Sequence, residues 1–188
     1  MPLPRFERLP VDTKAHIVRV AATEFAAHGR DAASLATIAD RAQLSRSAFY
    51  NYFDGKDDVF DTVRLAIIER LASALGPWQT VASAEKWWAE FERAHDRLVL
   101  ALSNEPTDAA FLRIIAPPAE LEEWFREAFA NAVSLELVDL SPGRELVESV
   151  TLASISAADA LELENPGLVP FCVVREVLER VWARRSPA

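Results

Sequence analysis

Residues 45–56 read SRSAFYNYFDGK and bring two serines, an arginine, an asparagine, two tyrosines and a lysine together within twelve positions. These side chains share one chemistry. Ser, Asn and Arg hydrogen-bond base edges in a DNA major groove, while Tyr hydroxyls, Lys ammonium groups and helix N-terminal amides hold phosphates. At a helical advance of about 100° per residue from Ser45, Phe49 and Phe53 fall on one side, with Ala48 and Tyr52 flanking them. Ser47, Tyr50 and Asn51 fall on the other, between Arg46 at the start and Lys56 beyond the end. An outward face of this kind is polar but uncharged, whereas a face meant only for water more usually carries Glu and Lys. The blander reading of the same pattern is an aromatic core with a wet back.

Other chemistries have less behind them. Glu92-Arg-Ala-His95 has the Glu-x-x-His spacing of di-iron helical bundles, which need a second such motif. His16 and His28 have no Glu three residues before them. The chain shows no Cys/His cluster, no phosphate loop and no Ser-His-Asp arrangement, so neither catalysis nor a metal or other cofactor is expected.

Bulk composition is compatible with a nucleic-acid partner only in one part of the chain. The formal net charge is −9. Residues 1–56 hold eight basic and six acidic side chains, a net +2, which leaves −11 for the remainder. Such asymmetry suggests that the first quarter meets an anion and the rest does not. Repulsion from the acidic part is screened beyond roughly 8–10 Å at physiological salt. The single cysteine, Cys172, fits a reducing compartment. No segment reaches the ~18–20 uncharged apolar residues of a membrane span, and MPLPRFERLP lacks a signal-peptide core. A cytoplasmic protein without a membrane partner is expected.

The elements that must position the motif are helices. A first helix begins near Asp12 or Thr13, buries Ile17, Ala21 and Phe25 at four-residue spacing, and stops at Gly29. A short second helix is capped by Ser34. Gln43-Leu44 makes a tight connection to a third, capped by Ser45 and running to about Phe53. Asp54-Gly55 breaks the chain, and Lys56 opens a long fourth helix that ends before Gly76-Pro77. Further helices follow from Ser83 to a break at Asn104-Glu105-Pro106, then a shorter one with Phe111, Ile114 and Ile115 closed by Pro117-Pro118, and another from about Ala119. Ser141-Pro142 reads as an N-cap with proline at N1. Asn165-Pro166-Gly167 reads as a turn before a last helix from about Leu168 to Arg184. The expected class is all-α with about nine helices. A three-helix helix-turn-helix head is joined through the long fourth helix to a second helical domain.

The run from Ile17, Ala21 and Phe25 through Ile38-Ala39 and Ala42-Gln43-Leu44-Ser45 to Tyr50, Phe53 and Lys56 closely resembles the DNA-binding domain of the TetR family of bacterial transcriptional regulators. The likeness covers about residues 12–70, and its Tyr-x-x-Phe-x-x-Lys ending is fairly specific. Position 43 departs from it: the family turn usually has Gly there, and this chain has Gln. The resemblance implies a DNA-binding domain over 11–71 and an effector-binding and dimerisation domain over 72–188. It makes Ser45 the cap of the recognition helix, Arg46, Ser47 and Asn51 base-reading candidates, and Tyr50, Tyr52 and Lys56 phosphate-holding ones, with Thr37 also near the backbone.

It further implies a homodimer on a pseudo-palindromic double-stranded operator, since two-fold sites need two reading heads. The last two helices are the candidate interface, through Ala153, Ala157, Val174, Val177 and Val181, with Leu178 and Trp182 adding apolar area. The aromatic middle helices are the candidate site for a small, largely apolar effector of unknown identity, near Trp88, Phe91, His95, Phe111, Trp124, Phe125 and Phe129. The implied activity is a ligand-released repressor. The alternative is a helical ligand-binding or scaffold protein without a DNA role.

Overall fold

A computed structural model describes residues 2–115 and 119–183. Every regular element among them is helical: α1 (Pro4–Glu7), α2 (Val11–Ala32), α3 (Leu35–Arg41), α4 (Arg46–Tyr50), α5 (Lys56–Leu75), α6 (Ala84–Asn104), α7 (Pro106–Leu112), α8 (Ala119–Ser134), α9 (Arg144–Glu164) and α10 (Phe171–Trp182). The all-α class expected from periodicity is the class observed. The chain divides into two compact units, Met1–Leu71 with Leu102–Ala116, and Ala72–Ala101 with Pro117–Ala188.

In the first unit, α2 buries Ile17, Val18, Ala21, Ala22 and Phe25 along one face. Its path breaks at Gly29, which adopts φ 73°, ψ 171°, a conformation closed to side chains with a Cβ. Phe25 meets Phe60 edge-on at 5.0 Å, and Phe60 meets Phe111 at 5.1 Å, so α2, α5 and α7 share one aromatic seam. Two buried acids are fully engaged. Glu24 (3% exposed) accepts from the Ser34 amide at 3.1 Å and from Arg41 at 3.5 Å, tying α2 to both ends of α3. Asp108 (4% exposed) receives a two-pronged contact from Arg70, at 2.9 and 2.7 Å, fastening α7 to α5. Burial pushes the Asp108 carboxyl above its usual range and Arg70 pulls it back.

The turn between α3 and α4 resolves the Gln43 question. The Leu44 amide donates to the Ala39 carbonyl and the Gln43 amide to that of Asp40, both at 2.9 Å, the paired bonds of a Schellman C-cap. Gln43 sits at the left-handed position with φ 57°. Glutamine thus occupies the glycine conformation rather than changing the turn, at a local cost of about 1 kcal/mol.

In the second unit, the loop after α5 is held by Asn131 of α8. Its side-chain oxygen accepts from the Trp78 indole at 3.2 Å and from the Val81 amide at 3.0 Å, while its amide nitrogen donates to the Val81 carbonyl at 3.1 Å. Two boundaries differ from the sequence reading. Ser141 is not an N-cap: its amide and hydroxyl both donate to Asp139, and α9 starts after Gly143 at φ 109°. The last helix starts at Phe171 rather than Leu168, because Glu162 captures the amides of Gly167 and Val169 and holds those residues in a turn. Arg184, Pro117 and Pro118, expected at helix ends, lie outside the described residues.

Two substitutions test these contacts. Gln43→Gly relieves the left-handed strain without removing a buried side chain, and raises stability by about 0.5–1 kcal/mol, read as a higher urea midpoint. Arg70→Ala leaves the Asp108 carboxylate without its counter-charge and lowers stability by about 2 kcal/mol at neutral pH, since Arg70 is itself partly exposed. An acid whose folded pKa is raised favours the folded state once protonated. The deficit of Arg70→Ala therefore shrinks as pH falls towards the ordinary carboxylate range, and a deficit independent of pH in thermal melts contradicts this account.

Candidate nucleic-acid interface

Helix α4 has only five residues. Ser45 caps it, its hydroxyl accepting from the Ala48 amide at 3.1 Å while lying 3.1 Å from the Ser47 hydroxyl. The helix ends three residues earlier than periodicity suggests, although the Tyr52 and Phe53 amides still reach back to the Phe49 carbonyl at 2.9 and 3.1 Å. Phe49 and Phe53 are each 1% exposed, with ring centroids 5.1 Å apart. The aromatic run divides as its spacing predicts, for Tyr50 is 57% exposed.

Arg46, Ser47 and Asn51 are exposed beside Tyr50, so one face collects the base-reading candidates with a tyrosine hydroxyl. Between α3 and α4 lies a cleft of about 120 Å³ lined by Leu35, Ala36, Ala39, Arg46, Phe49 and Tyr50, which leaves Arg46 and Tyr50 bordering open space. Thr37 is half-buried on α3, its amide donating to the Ser34 hydroxyl at 3.2 Å. Tyr52 is half-buried as well, edge-on to Phe6 at 6.5 Å. The Lys56 ammonium donates to the Asp31 carbonyl. A lysine has three N–H donors, so this bond leaves two for an anion. Arg30, by contrast, is committed: it donates to Asp57 at 2.9 Å and lies over the Phe60 ring at 4.9 Å. The hydrogen bond to Asp57 is the main cause that raises its pKa further. Asp40 and Asp54 are the exposed acids at the margins.

Sequence reasoning missed one positioning residue. Phe6, in α1 and outside the 11–71 span, is 4% exposed and packs on Phe53 at 4.9 Å. Its signal was a lone aromatic among prolines and charges, with no periodicity to place it.

The aromatic residues proposed to line an effector site are divided between the two units. Phe111 is fully buried in the first unit against Phe25 and Phe60, because α7 packs on α2. Trp88, Phe91, Phe125 and Phe129 belong to the core of the second unit with Trp78, Trp87 and Trp182, and Trp124 packs against it. Trp87 stacks on Phe91 at 4.9 Å, and Phe91 on Trp124 at 6.0 Å. Three indoles have acceptors: Trp78 on Asn131, Trp87 on the Ala128 carbonyl at 2.9 Å, and Trp182 on the Thr151 hydroxyl at 2.9 Å. The buried Trp124 Nε1–H has no partner among the described residues. His95 is half-buried, its ring 5.5 Å from that of Phe171.

The candidate interface residues also separate. Val174, Leu178 and Trp182 are turned into the core of the second unit, at 8%, 0% and 3% exposure, and Val181 is half-buried. Ala153, Ala157 and Val177 stay exposed. The helix spacing of α10 supplied apolar residues for two faces, and only packing decides which face is the inner one.

Residues 17–63 match the family model described as bacterial regulatory proteins, tetR family. No curated protein matches the chain. Among solved structures, the chain is similar to a protein of Shewanella sp. PV-4 assigned to the tetR family of transcription regulators, with a TM-score of 0.70 at 16% identity, covering 92% of this chain and 99% of that one. It is similar to a TetR family transcriptional regulator from Chloroflexus aurantiacus J-10-fl, with a TM-score of 0.63 at 18% identity, covering 96% and 93%. A TetR-like transcriptional regulator from Rhodococcus sp. RHA1 gives 0.56 at 18% identity, covering 93% and 96%. Residues 17–63 thus match that family's domain model, and the chain shares the fold of these three solved structures along nearly its whole length.

Proposed function

We propose that this chain is a sequence-specific DNA-binding transcription regulator, a homodimeric repressor released from a pseudo-palindromic operator by a small, largely apolar effector. The observation that carries the reading is the face of α4. Ser47, Tyr50 and Asn51 are exposed, polar and uncharged, Arg46 stands beside them, and Phe49 and Phe53 anchor the helix from beneath. Residues 11–71 take the DNA-reading role and 72–188 the effector-binding and dimerisation role. In the first, Arg46, Ser47 and Asn51 read base edges, and Ser45, Thr37, Tyr50, Tyr52 and Lys56 hold the backbone.

Dimerisation is supported by an unusual run of exposed apolar residues. On α9, Leu146, Val150, Ala153, Ala157 and Leu161 follow one another at three- and four-residue steps, and α10 adds Val173 and Val177. A contiguous apolar stripe on two neighbouring helices is what a four-helix interface buries. The effector part of the reading rests on the aromatic cluster of the second unit. Its buried Trp124 indole N–H lacks an acceptor, and an apolar ligand carrying one acceptor would satisfy it. Release then follows from a population shift: the effector binds unequally to two conformers that space the reading heads differently.

Selection from random DNA with the wild-type protein is expected to return one two-fold motif, and enrichment of no motif would sink the regulator reading. Against that motif, Asn51→Ala relaxes selectivity at one base position by roughly 10- to 100-fold. Tyr50→Ala weakens binding to all sequences alike. Val177→Glu together with Ala157→Glu is expected to convert dimers to monomers in sedimentation and to abolish operator binding while circular dichroism stays helical. Dimers that survive both changes exclude this stripe as the interface.

A further inference from the structure

The first ten residues precede the part of the chain that matches the family domain, and the structure ties them to the residues just past α4. The Leu3 amide donates to the Tyr52 carbonyl at 2.9 Å. Phe6 is buried against Phe53 at 4.9 Å and lies edge-on to Tyr52 at 6.5 Å. Pro4 opens α1, and Pro10 is the N-cap of α2. Proline fixes φ near −65°, so a segment bracketed by two prolines and held by one buried aromatic has little freedom to lose on meeting a ligand. Three charged side chains ride on this segment. Glu7 turns to Lys14, 3.6 Å away. Arg5 and Arg8 are exposed, and neither forms an ion pair among the described residues.

We infer that α1 is a second DNA-contacting element, an N-terminal arm whose Arg5 and Arg8 grip the phosphate backbone on the groove wall beside the end of the recognition helix. The inference rests on the DNA-binding reading above. A major groove is about 12 Å wide, so a helix lying in it stands close to phosphates on both sides. Tyr52 lies just past the end of α4, and Leu3 is bonded to its carbonyl, so Arg5 follows two residues after a point held to that end of the helix. Two guanidiniums without acidic partners are suited to bidentate grip on phosphate oxygens. Because phosphates carry no sequence information, the arm adds affinity and leaves selectivity alone.

The test is the salt dependence of binding to the selected motif and to random DNA, for wild type and for Arg5→Ala/Arg8→Ala. Each phosphate neutralised contributes about 0.9 to the slope of log K against log salt. With two arms per dimer, four arginines are lost, so the double variant lowers that slope by roughly 3.6 and weakens both DNAs equally. Arg5→Lys/Arg8→Lys keeps the slope near wild type. Arg113→Ala/Arg126→Ala removes the same charge from exposed positions elsewhere and leaves the slope unchanged. An unchanged slope in the Arg5/Arg8 double variant overturns the arm, as does an equal fall in the Arg113/Arg126 control. Either result leaves the regulator reading standing so long as wild type still selects its motif; wild type that binds no DNA defeats both.

Discussion

A five-residue helix does not persist in water by its own hydrogen bonds, because nucleation costs more than so few bonds return. Helix α4 exists because Phe49 and Phe53 are driven beneath it into the core of the first unit and because Ser45 satisfies one of its free amides. Everything outward about α4 depends on that inward anchoring. Once the two phenylalanines set its rotation, Ser47, Tyr50 and Asn51 have to face solvent, and Arg46 has to stand at the edge. The rest of the unit serves the same end. Glu24 binds both ends of α3, and the Schellman turn at Gln43 sets the angle from which α4 departs. Phe6 closes the far end against Phe53.

The second unit solves a different problem with the same residue types. Five tryptophans in 188 residues, all in this unit, bury large apolar surface, but each brings an N–H that costs energy if stranded. Asn131, Thr151 and the Ala128 carbonyl meet three of them. Trp124 is the one buried indole left without an acceptor among the described residues. Native cores rarely strand a donor, so each such group calls for an explanation. The same unit exposes an apolar stripe on α9 and α10 while burying Leu178 and Trp182 from the next turns of the same helix. One apolar face of α10 makes the core, and another stays exposed.

Electrostatics follow this division of labour. The acidic surplus belongs to residues 57–188, and the basic surplus to the first 56. Within the first unit many cations are already spoken for: Arg30 by Asp57, Arg41 by Glu24, Arg70 by Asp108. Among the described residues, the cations left uncommitted near α4 are Arg46, Lys56 with two of its donors, and the pair on α1.

Much of this was legible in the amino-acid sequence. Strong helical periodicity, cap residues such as Ser34 and Ser45, and the breaks at Gly29 and Gly76-Pro77 specify most elements, because those signals act within one or two turns. The inward and outward sides of residues 45–56 were legible for the same reason: aromatic spacing sets helix rotation locally. Other features depend on contacts far apart in sequence, and no local pattern carries them. Ser141 lost its capping role to Asp139 and Gly143, and the last helix began late because Glu162 held the turn before it. Phe111 went to the first unit because α7 packs on α2, and Val174 went to the core rather than the surface because α10 has apolar residues on two faces. Phe6 joined the core beneath α4 only through Phe53, forty-seven positions away. The sequence by itself determined most of the helices and which side of residues 45–56 was polar. Only tertiary packing decided which of several apolar faces closed inward, because burial is settled by the neighbour that arrives and not by the residue that waits for it.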